Sequence, residues 1–552
     1  MNSRLRTGTA AAVLLGVAIA ACSSPSPSAS HRSRVAMPPP PPPRLAAAIQ
    51  RSADLGRAGS ATMVYLSFGL RIRQPAKLAA LIATGHTVTS AAYAAEFGPD
   101  TTAVERAVSG LENVGFRVSW QPGSGIIGAD GPAPAAAALL DVGIESYRLG
   151  DGSIFYATLD QPRLPPQLAA VASSVSGLDD YRHVRSFAVR PGGLNPTDVI
   201  AFYDLKPMRD ARLDGSGETI MLPEIDDLPN LSDLNKFATE FGLPPFGPLL
   251  TIKRDPTWGT PQKPGGETVL DLEIIHEIAP AAKLVIYLSA PDFGHGDRAF
   301  DQLVTDHLGS IISESLGACE PDTPGGHRNT YATIEDRAVA LGMSHFVATG
   351  DNGAFTCGED QDAAGSFPST LPTVTAVGGT SVFESKQGAY FRESAWGSPL
   401  DQSGSGGGTS QFYPAPDFQK SETQAAGHGM RQVPDVSADA DPATGFHIFF
   451  GGREGQAGGT SAATPLWAAT VALIDQDMKK KGLREVGFAN PAIYWMGENS
   501  AKFAARPFHD VTTGNNLAYD ATAGWDFATG WGSMDGAALD SAWTLYIKGG
   551  GA

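Results

Sequence analysis

Apolar and polar positions alternate along Met63-Val64-Tyr65-Leu66-Ser67-Phe68, a period of two that predicts a strand with one buried face. Helical spacing follows around 75–84 and 101–114, then a second strand over 115–120 and shorter ones such as 153–159. Strand, helix, helix, strand in that order predicts a small α+β unit ending near residue 188. A polar connector over 183–196, with Arg185, Arg190, Gly192 and Gly193, separates it from a different pattern. Short β-branched apolar runs at 284–288, 310–313, 345–348 and 374–377 alternate with stretches long enough for helices, 330–341 among them. That alternation predicts an α/β domain, doubly wound on a mostly parallel, buried sheet. Catalytic groups in such sheets gather at the carboxyl ends of the strands, where this sequence turns acidic and glycine-rich.

The chain ahead of residue 59 carries no such pattern. Arg4 and Arg6 precede an apolar stretch over 11–21 that is too short to span a bilayer and has the layout of a secretory signal. The sequence Ile19-Ala20-Ala21-Cys22 resembles a bacterial lipoprotein signal, which implies a lipid on Cys22 and a cell-surface location; ordinary cleavage and secretion is the alternative. Residues 22–58, with prolines from Pro38 to Pro43, read as an extended tether. The expected division is a signal at 1–21, a tether at 22–58, the α+β unit at 59–188, a linker at 189–196 and the α/β domain at 197–552.

Charge narrows the partners. Forty Lys and Arg against 58 Asp and Glu give a formal net charge of -18, the opposite of a nucleic-acid footprint. Self-repulsion on that scale fades as carboxylates protonate, which suits an acidic environment. Cys319 and Cys357 are either a disulfide, as export permits, or two buried thiols.

Gly458-Gly459-Thr460-Ser461-Ala462-Ala463-Thr464-Pro465 is the first chemical signal. Glycines allow close backbone approach, and a serine opening a helix sits where N–H groups favour developing negative charge. The bland reading is a helix cap. The whole Gly-Thr-Ser-x-x-x-Pro string resembles the nucleophile motif of subtilisin-like peptidases. A serine nucleophile needs a base, yet none of the 11 histidines has a His-Gly-Thr-His setting, and His295 lies in a polar Gly-His-Gly-Asp stretch. Instead Gly265-Gly266-Glu267 opens an apolar helical pattern running to Ala279-Pro280. It places Glu267 above Asp271 on one face and Glu273 above Glu277 at the same spacing. Neighbouring carboxylates raise each other's pKa, so either pair could exchange protons in mild acid. Spacing alone does not choose between them, and a solvated helix face remains open for both.

Glu-x-x-x-Asp, then Thr349-Gly350-Asp351-Asn352-Gly353, then Gly-Thr-Ser-x-x-x-Pro, taken together, resemble the sedolisin family of serine-carboxyl peptidases. Ser313-Glu314-Ser315-Leu316-Gly317, Phe367-Pro368-Ser369, Gly406-Gly407-Gly408-Thr409-Ser410 and Val433-Pro434-Asp435 extend the likeness, and Phe97-Gly98-Pro99-Asp100 resembles the family's activation prosegment. The resemblance implies a subtilisin-like fold preceded by an α+β prosegment, and a zymogen that processes itself and hydrolyses peptides or proteins in acid. It implies Ser461 as nucleophile, Glu267 as its base, Asp271 behind Glu267, and Asp351 as an oxyanion donor. Low pH follows from the last role, because only a protonated Asp351 donates a hydrogen bond. The family's calcium site falls on Asp510, Asp526 and the carbonyls of Val511 and Gly524, with Thr522 at a further ligand position where the family has glycine. Leu316 stands where the family usually has tryptophan, in a chain that ends near Glu224. Whether such an enzyme is an endopeptidase or a tripeptidyl-peptidase is not fixed by these motifs. The competing class is a surface lipoprotein that binds peptides on the same fold without cleaving them.

Overall fold

Val64, Leu66, Phe68 and Leu70 enter one hydrophobic core while Tyr65, Ser67 and Gly69 face the other way, as a period-two strand requires. This strand, β1 (Met63–Leu70), belongs to a computed structural model that describes residues 43–150, 152–181, 193–228, 231–358, 363–385, 388–400, 402–419 and 429–549. The signal, most of the tether and residues 182–192 of the connector lie outside the described residues. Residues 43–57, expected in the tether, are folded: Pro43–Arg51 is a helix and Ala53–Arg57 pairs with Glu145–Arg148. The apolar Leu45 and Ala48 explain this, since they close a small cluster with Tyr147 and Phe155 that a proline-rich composition hides.

β1 is central in a four-stranded antiparallel sheet ordered β2 (Arg117–Ser119), β3 (Ile126–Pro132), β1, β4 (Ala172–Ser176). Helices α1 (Pro75–Ala83), α2 (Ser90–Glu96) and α3 (Thr101–Asn113) complete the unit, with α3 capped by Asp100, which accepts from Ala103 N. These elements match the expected α+β unit.

The following domain is built on eight strands: β5 (Thr219–Glu224), β6 (Leu250–Lys253), β7 (Lys283–Leu288), β8 (Ile311–Glu314), β9 (Ser344–Ala348), β10 (Thr375–Glu384), β11 (Tyr390–Ala395) and β12 (Val436–Asp439). Their order is β6-β7-β5-β8-β9-β10-β11, with β12 also on β10. Every pairing is parallel except β10 with β11. The chain thus places β7 and β6 on one side of β5 and β8, β9 and β10 on the other, and a crevice lies at the carboxyl ends of these strands. Helices α4 (Glu267–Ile278), α5 (Phe293–Asp306), α6 (Gly325–Ala340) and α7 (Thr460–Lys480) pack against this sheet. Cys319 and Cys357 form a disulfide. No helix among the described residues is long and apolar enough to cross a membrane.

The outward face of the α+β sheet docks on α5 and α6 through small and polar groups. Ser67 Oγ donates to Gly294 O at 3.0 Å, Ser174 and Thr330 hydroxyls meet at 2.7 Å, and Arg298 reaches Asp130 at 2.6 Å. A β-carbon at Gly69 would sit 2.4 Å from Ser174 Oγ and 3.2 Å from Thr330 Cα, so glycine there permits the approach of α6. Beyond the connector, Leu194 N donates to Gly445 O and Leu194 O accepts from His447 N, which fixes the start of the α/β domain.

Candidate active site

α4 is buried on every side, so neither carboxylate pair on it is a solvated face. Glu273 Oε2 accepts from Phe449 N at 2.7 Å, which gives that side of the helix to packing against the Phe446–Phe450 strand. Glu267 and Asp271 turn the other way, toward the crevice. Asp226 Oδ2 accepts from Gly265 N and Glu267 N and fixes the first turn of the helix. Asp271 Oδ2 accepts from Ser315 Oγ at 2.7 Å. Glu224, the last residue of β5, accepts from Thr268 Oγ1 at 3.1 Å.

Burial raises the pKa of Glu267, Asp271 and Glu224, and repulsion adds to it, from Asp351 and Asp226 on Glu267, from Glu224 and Glu267 on Asp271, and from Glu267 and Asp226 on Glu224. Three carboxyls this close in a dry site do not all ionise. Hydroxyl groups act against that rise, Ser461 on Glu267, Ser315 on Asp271 and Thr268 on Glu224.

Ser461 is not a cap. Gly459 occupies that position without a side-chain bond, and Ser461 is the second residue of α7. Ser315 Oγ donates to Ser461 O at 3.2 Å, and Ser461 Oγ lies 3.5 Å from Ser315 O. A β-carbon on Gly459 would fall 2.6 Å from Asp351 Oδ2, and its φ of +105° is itself reserved for glycine. Asp351 follows β9. Its Oδ1 accepts from Thr460 N at 2.7 Å and Thr460 Oγ1 at 2.8 Å, while its buried Oδ2 has no hydrogen-bond partner among the described residues. Burial pushes Asp351 up to about 6, against the two Thr460 bonds. A protonated Oδ2 is thus a ready donor beside the serine at the head of α7.

His295, the nearest approach to a histidine motif, sits on α5 and not in a loop. It binds Asp292 at 2.7 Å and packs on Tyr65 of the α+β unit. Among the functional groups, Ser315, Thr268, Thr460 and Asp226 were not singled out by the sequence. Ser315 lies inside a quoted motif, but its partners are 44 and 146 residues away.

The C-terminal oxygen set forms one loop cluster. Gly524 N donates to both oxygens of Asp510, and Thr522, Ala528 and Thr529 N donate to Asp526. Burial raises Asp510, and Asp526 to about 6. Carboxyls and backbone carbonyls on one loop cluster are a donor set of the kind that suits a hard divalent cation.

Comparison with known proteins agrees with this geometry. The pro-kumamolisin activation domain family matches residues 50–181, and the subtilase family matches residues 259–532. Kumamolisin of Bacillus sp. (strain MN-32) is 32% identical over 446 residues, covering 74% of this chain and 77% of that protein. Sedolisin of Pseudomonas sp. (strain 101) is 29% identical, covering 83% of this chain and 81% of that protein. The solved structure of Pseudomonas sedolisin, a serine-carboxyl proteinase complexed with pseudo-iodotyrostatin, superposes with a TM-score of 0.58. It is 29% identical and covers 66% of this chain and 100% of that one. The chain belongs to the sedolisin family and is a serine-carboxyl peptidase made as a zymogen, with its own activation prosegment ahead of a subtilisin-like domain.

Proposed function

We propose that Ser461 attacks the peptide carbonyl while Glu267 takes its proton, and that Glu267 later returns that proton to the leaving amine. Asp271, tied to Ser315, holds a proton next to Glu267 and keeps the charge of the cluster on the base. Asp351 in its acid form donates through Oδ2 to the oxyanion, so hydrolysis is confined to acidic pH. The observation behind this reading is the pairing of a raised Asp351, one oxygen free, with a serine at the head of a buried helix. Ser461→Ala should abolish both prosegment removal and peptide hydrolysis across pH 3–7, a range set by ordinary and raised carboxyl pKa values. Residual processing in purified Ser461→Ala protein would defeat the assignment.

The division at 59–188, 189–196 and 197–552 is proposed with the prosegment extended back to include the folded residues from 43. Processing falls near residues 185–196. Asp510, Asp526 and the carbonyls of Val511 and Gly524 would hold one structural Ca2+, which would neutralise the two carboxyls and fasten the C-terminal loop. A chelator should then lower the melting temperature, and no change would remove the calcium assignment. Export follows from the N-terminal reading, with the mature chain lipid-anchored at Cys22 or secreted. The non-catalytic binding lipoprotein is the weaker alternative, because a pure binder has no use for a nucleophile, base and oxyanion donor brought together.

A further inference from the structure

The helix that carries Glu267 has no cap of its own. The capping position of α4 is Gly266, left-handed at φ +109° and without a side-chain bond to the first turn. The N–H groups left over at that end are met from another element. Asp226 lies two residues past the end of β5, is 1% exposed, and turns Oδ2 to Gly265 N at 2.8 Å and Glu267 N at 3.3 Å. Gln262 donates its side-chain amide to Oδ1. Thr268 Oγ1 donates to the Asp226 carbonyl at 2.7 Å, which ties the second helical residue to the same point. A β-carbon on Gly265 would sit 2.5 Å from Asp226 Oδ2, so glycine ahead of the helix leaves the space that this carboxyl fills.

We propose that Asp226 is a positioning residue for the general base: it aims Glu267 by capping α4 from outside the helix, and its charge governs how readily Glu267 gives up and takes back a proton. The proposal rests on the reading of Glu267 as the base toward Ser461.

Capping alone would be a structural role, and the charge adds to it. Glu267 is the first residue of α4, where the helix N–H groups favour a carboxylate. An anion seated on those same N–H groups cancels part of their field and adds its own repulsion. Three N–H donors converge on Asp226, the setting of a charged acceptor. The other ionisable groups around the base are Glu224 at the end of β5, Asp271 one turn along α4, and Asp351 after β9, while α7 contributes the Ser461 hydroxyl. All of these ionisable groups are acids, and among the described residues no cation pairs with any of them. Arg254, on the strand side of this loop, is taken by Asp227. Asp351 and Asp226 both push Glu267 upward. Asp351 gives up that repulsion when it is protonated to serve the oxyanion, which leaves the charge of Asp226 beside the base.

Asp226→Asn separates aim from charge. Its Oδ1 can still accept from Gly265 N and Glu267 N, and Gln262 can turn its amide to accept from the new Nδ2. The measurement is kcat/KM of acid-activated enzyme on one synthetic peptide from about pH 3 to 7, a range set by ordinary and raised carboxyl pKa values. With the neighbouring charge gone, Glu267 ionises at lower pH. The ratio of Asp226→Asn to parent should therefore rise about threefold or more as pH falls from about 7 to about 3. Asp226→Ala leaves the Gly265 and Glu267 N–H groups unmet, and its kcat should fall about tenfold or more below that of Asp226→Asn, with KM within about threefold of the parent. A loss of packing alone would lower activity by the same factor at every pH. A ratio that stays flat with pH, or Asp226→Ala turning over as fast as Asp226→Asn, would overturn the proposal; the ratio decides alone where Asp226→Ala fails to fold. Glu267→Gln tests the reading underneath: hydrolysis that survives in it would remove Glu267 as the base, a result distinct from either failure of Asp226.

Discussion

Burial raises Asp351 to about 6, and two hydrogen bonds from Thr460 act against that rise. The sign of its effect on catalysis follows directly. Below that pH the carboxyl is neutral and donates through Oδ2; above it the anion faces a developing oxyanion and repels it. Asp351→Asn separates the two effects, since an amide can keep accepting from Thr460 at one end and donate at the other at any pH. The alkaline limb of kcat/KM should move up by at least about one pH unit in Asp351→Asn, whereas Asp351→Ala should lose about 10²–10³-fold in kcat without that shift. An unmoved limb in the Asn variant would show that another group sets it. At this scale Ser461, Glu267 and Asp271 were legible because short motifs carry them. Thr460, Asp226 and Ser315 were not, because their roles exist only through contacts made across 109, 41 and 146 residues.

The catalytic helix shows the limit of periodicity at the scale of elements. The pattern over 267–278 places α4 correctly, yet four acidic side chains on it suggested an exposed face, and the helix is wholly enclosed. α7 covers one side, and the strand Phe446–Phe450 covers another. A buried carboxyl there survives because it is protonated or bonded, and Glu273 shows both features, raised by burial while accepting from Phe449 N. Of the two glutamate-bearing faces, one turns to the crevice and the other to packing. Glu273→Gln keeps the acceptor and removes the ionisable proton. Because the folded pKa is raised, the wild-type group contributes stability at low pH and loses it as pH rises. Glu273→Gln should therefore match the parent at pH 4 and exceed it at pH 7. Glu273→Leu should cost about 1–3 kcal/mol at both, since Phe449 N–H is left without a partner. Urea unfolding in the Ser461→Ala background, which avoids self-digestion, measures both; a Gln variant weaker than the parent at pH 7 would contradict the assignment.

Across the whole molecule, two kinds of contact hold the prosegment to the enzyme, and they respond differently to acid. Leu78 and Ile82 of α1 and Tyr93 of α2 join the same apolar cluster as Ile334 and Ala338 of α6, a contact indifferent to pH. Asp180, near the end of the prosegment, is raised to about 7 chiefly by burial, with Asp179 and Asp292 adding repulsion. A carboxyl raised in the docked state strengthens docking at low pH and weakens it as pH climbs through 7, so acidification does not release the prosegment there. The ion pair of Asp130 with Arg298 is a further polar contact across the same interface. Both side chains are 3% exposed, they meet at 2.6 Å, and Asp130 also accepts from Arg117 at 2.8 Å. Without the Asp130 charge, Arg298 is left buried against the carbonyls of Leu66 and Thr257 and the Ser67 hydroxyl. Loss of one partner from a buried pair costs about 3–5 kcal/mol, toward the lower end here because those groups remain. Asp130→Asn removes that charge while keeping the shape of the side chain. The proenzyme carrying it should begin to shed its prosegment at a pH at least about one unit higher than the parent, followed by gel analysis after stepwise acidification. Asp180→Asn, in contrast, should leave the acid threshold where it is and hold the prosegment more firmly above pH 7. A threshold unchanged in Asp130→Asn would show that this ion pair does not hold the prosegment, and a threshold raised by Asp180→Asn would contradict the sign given to Asp180.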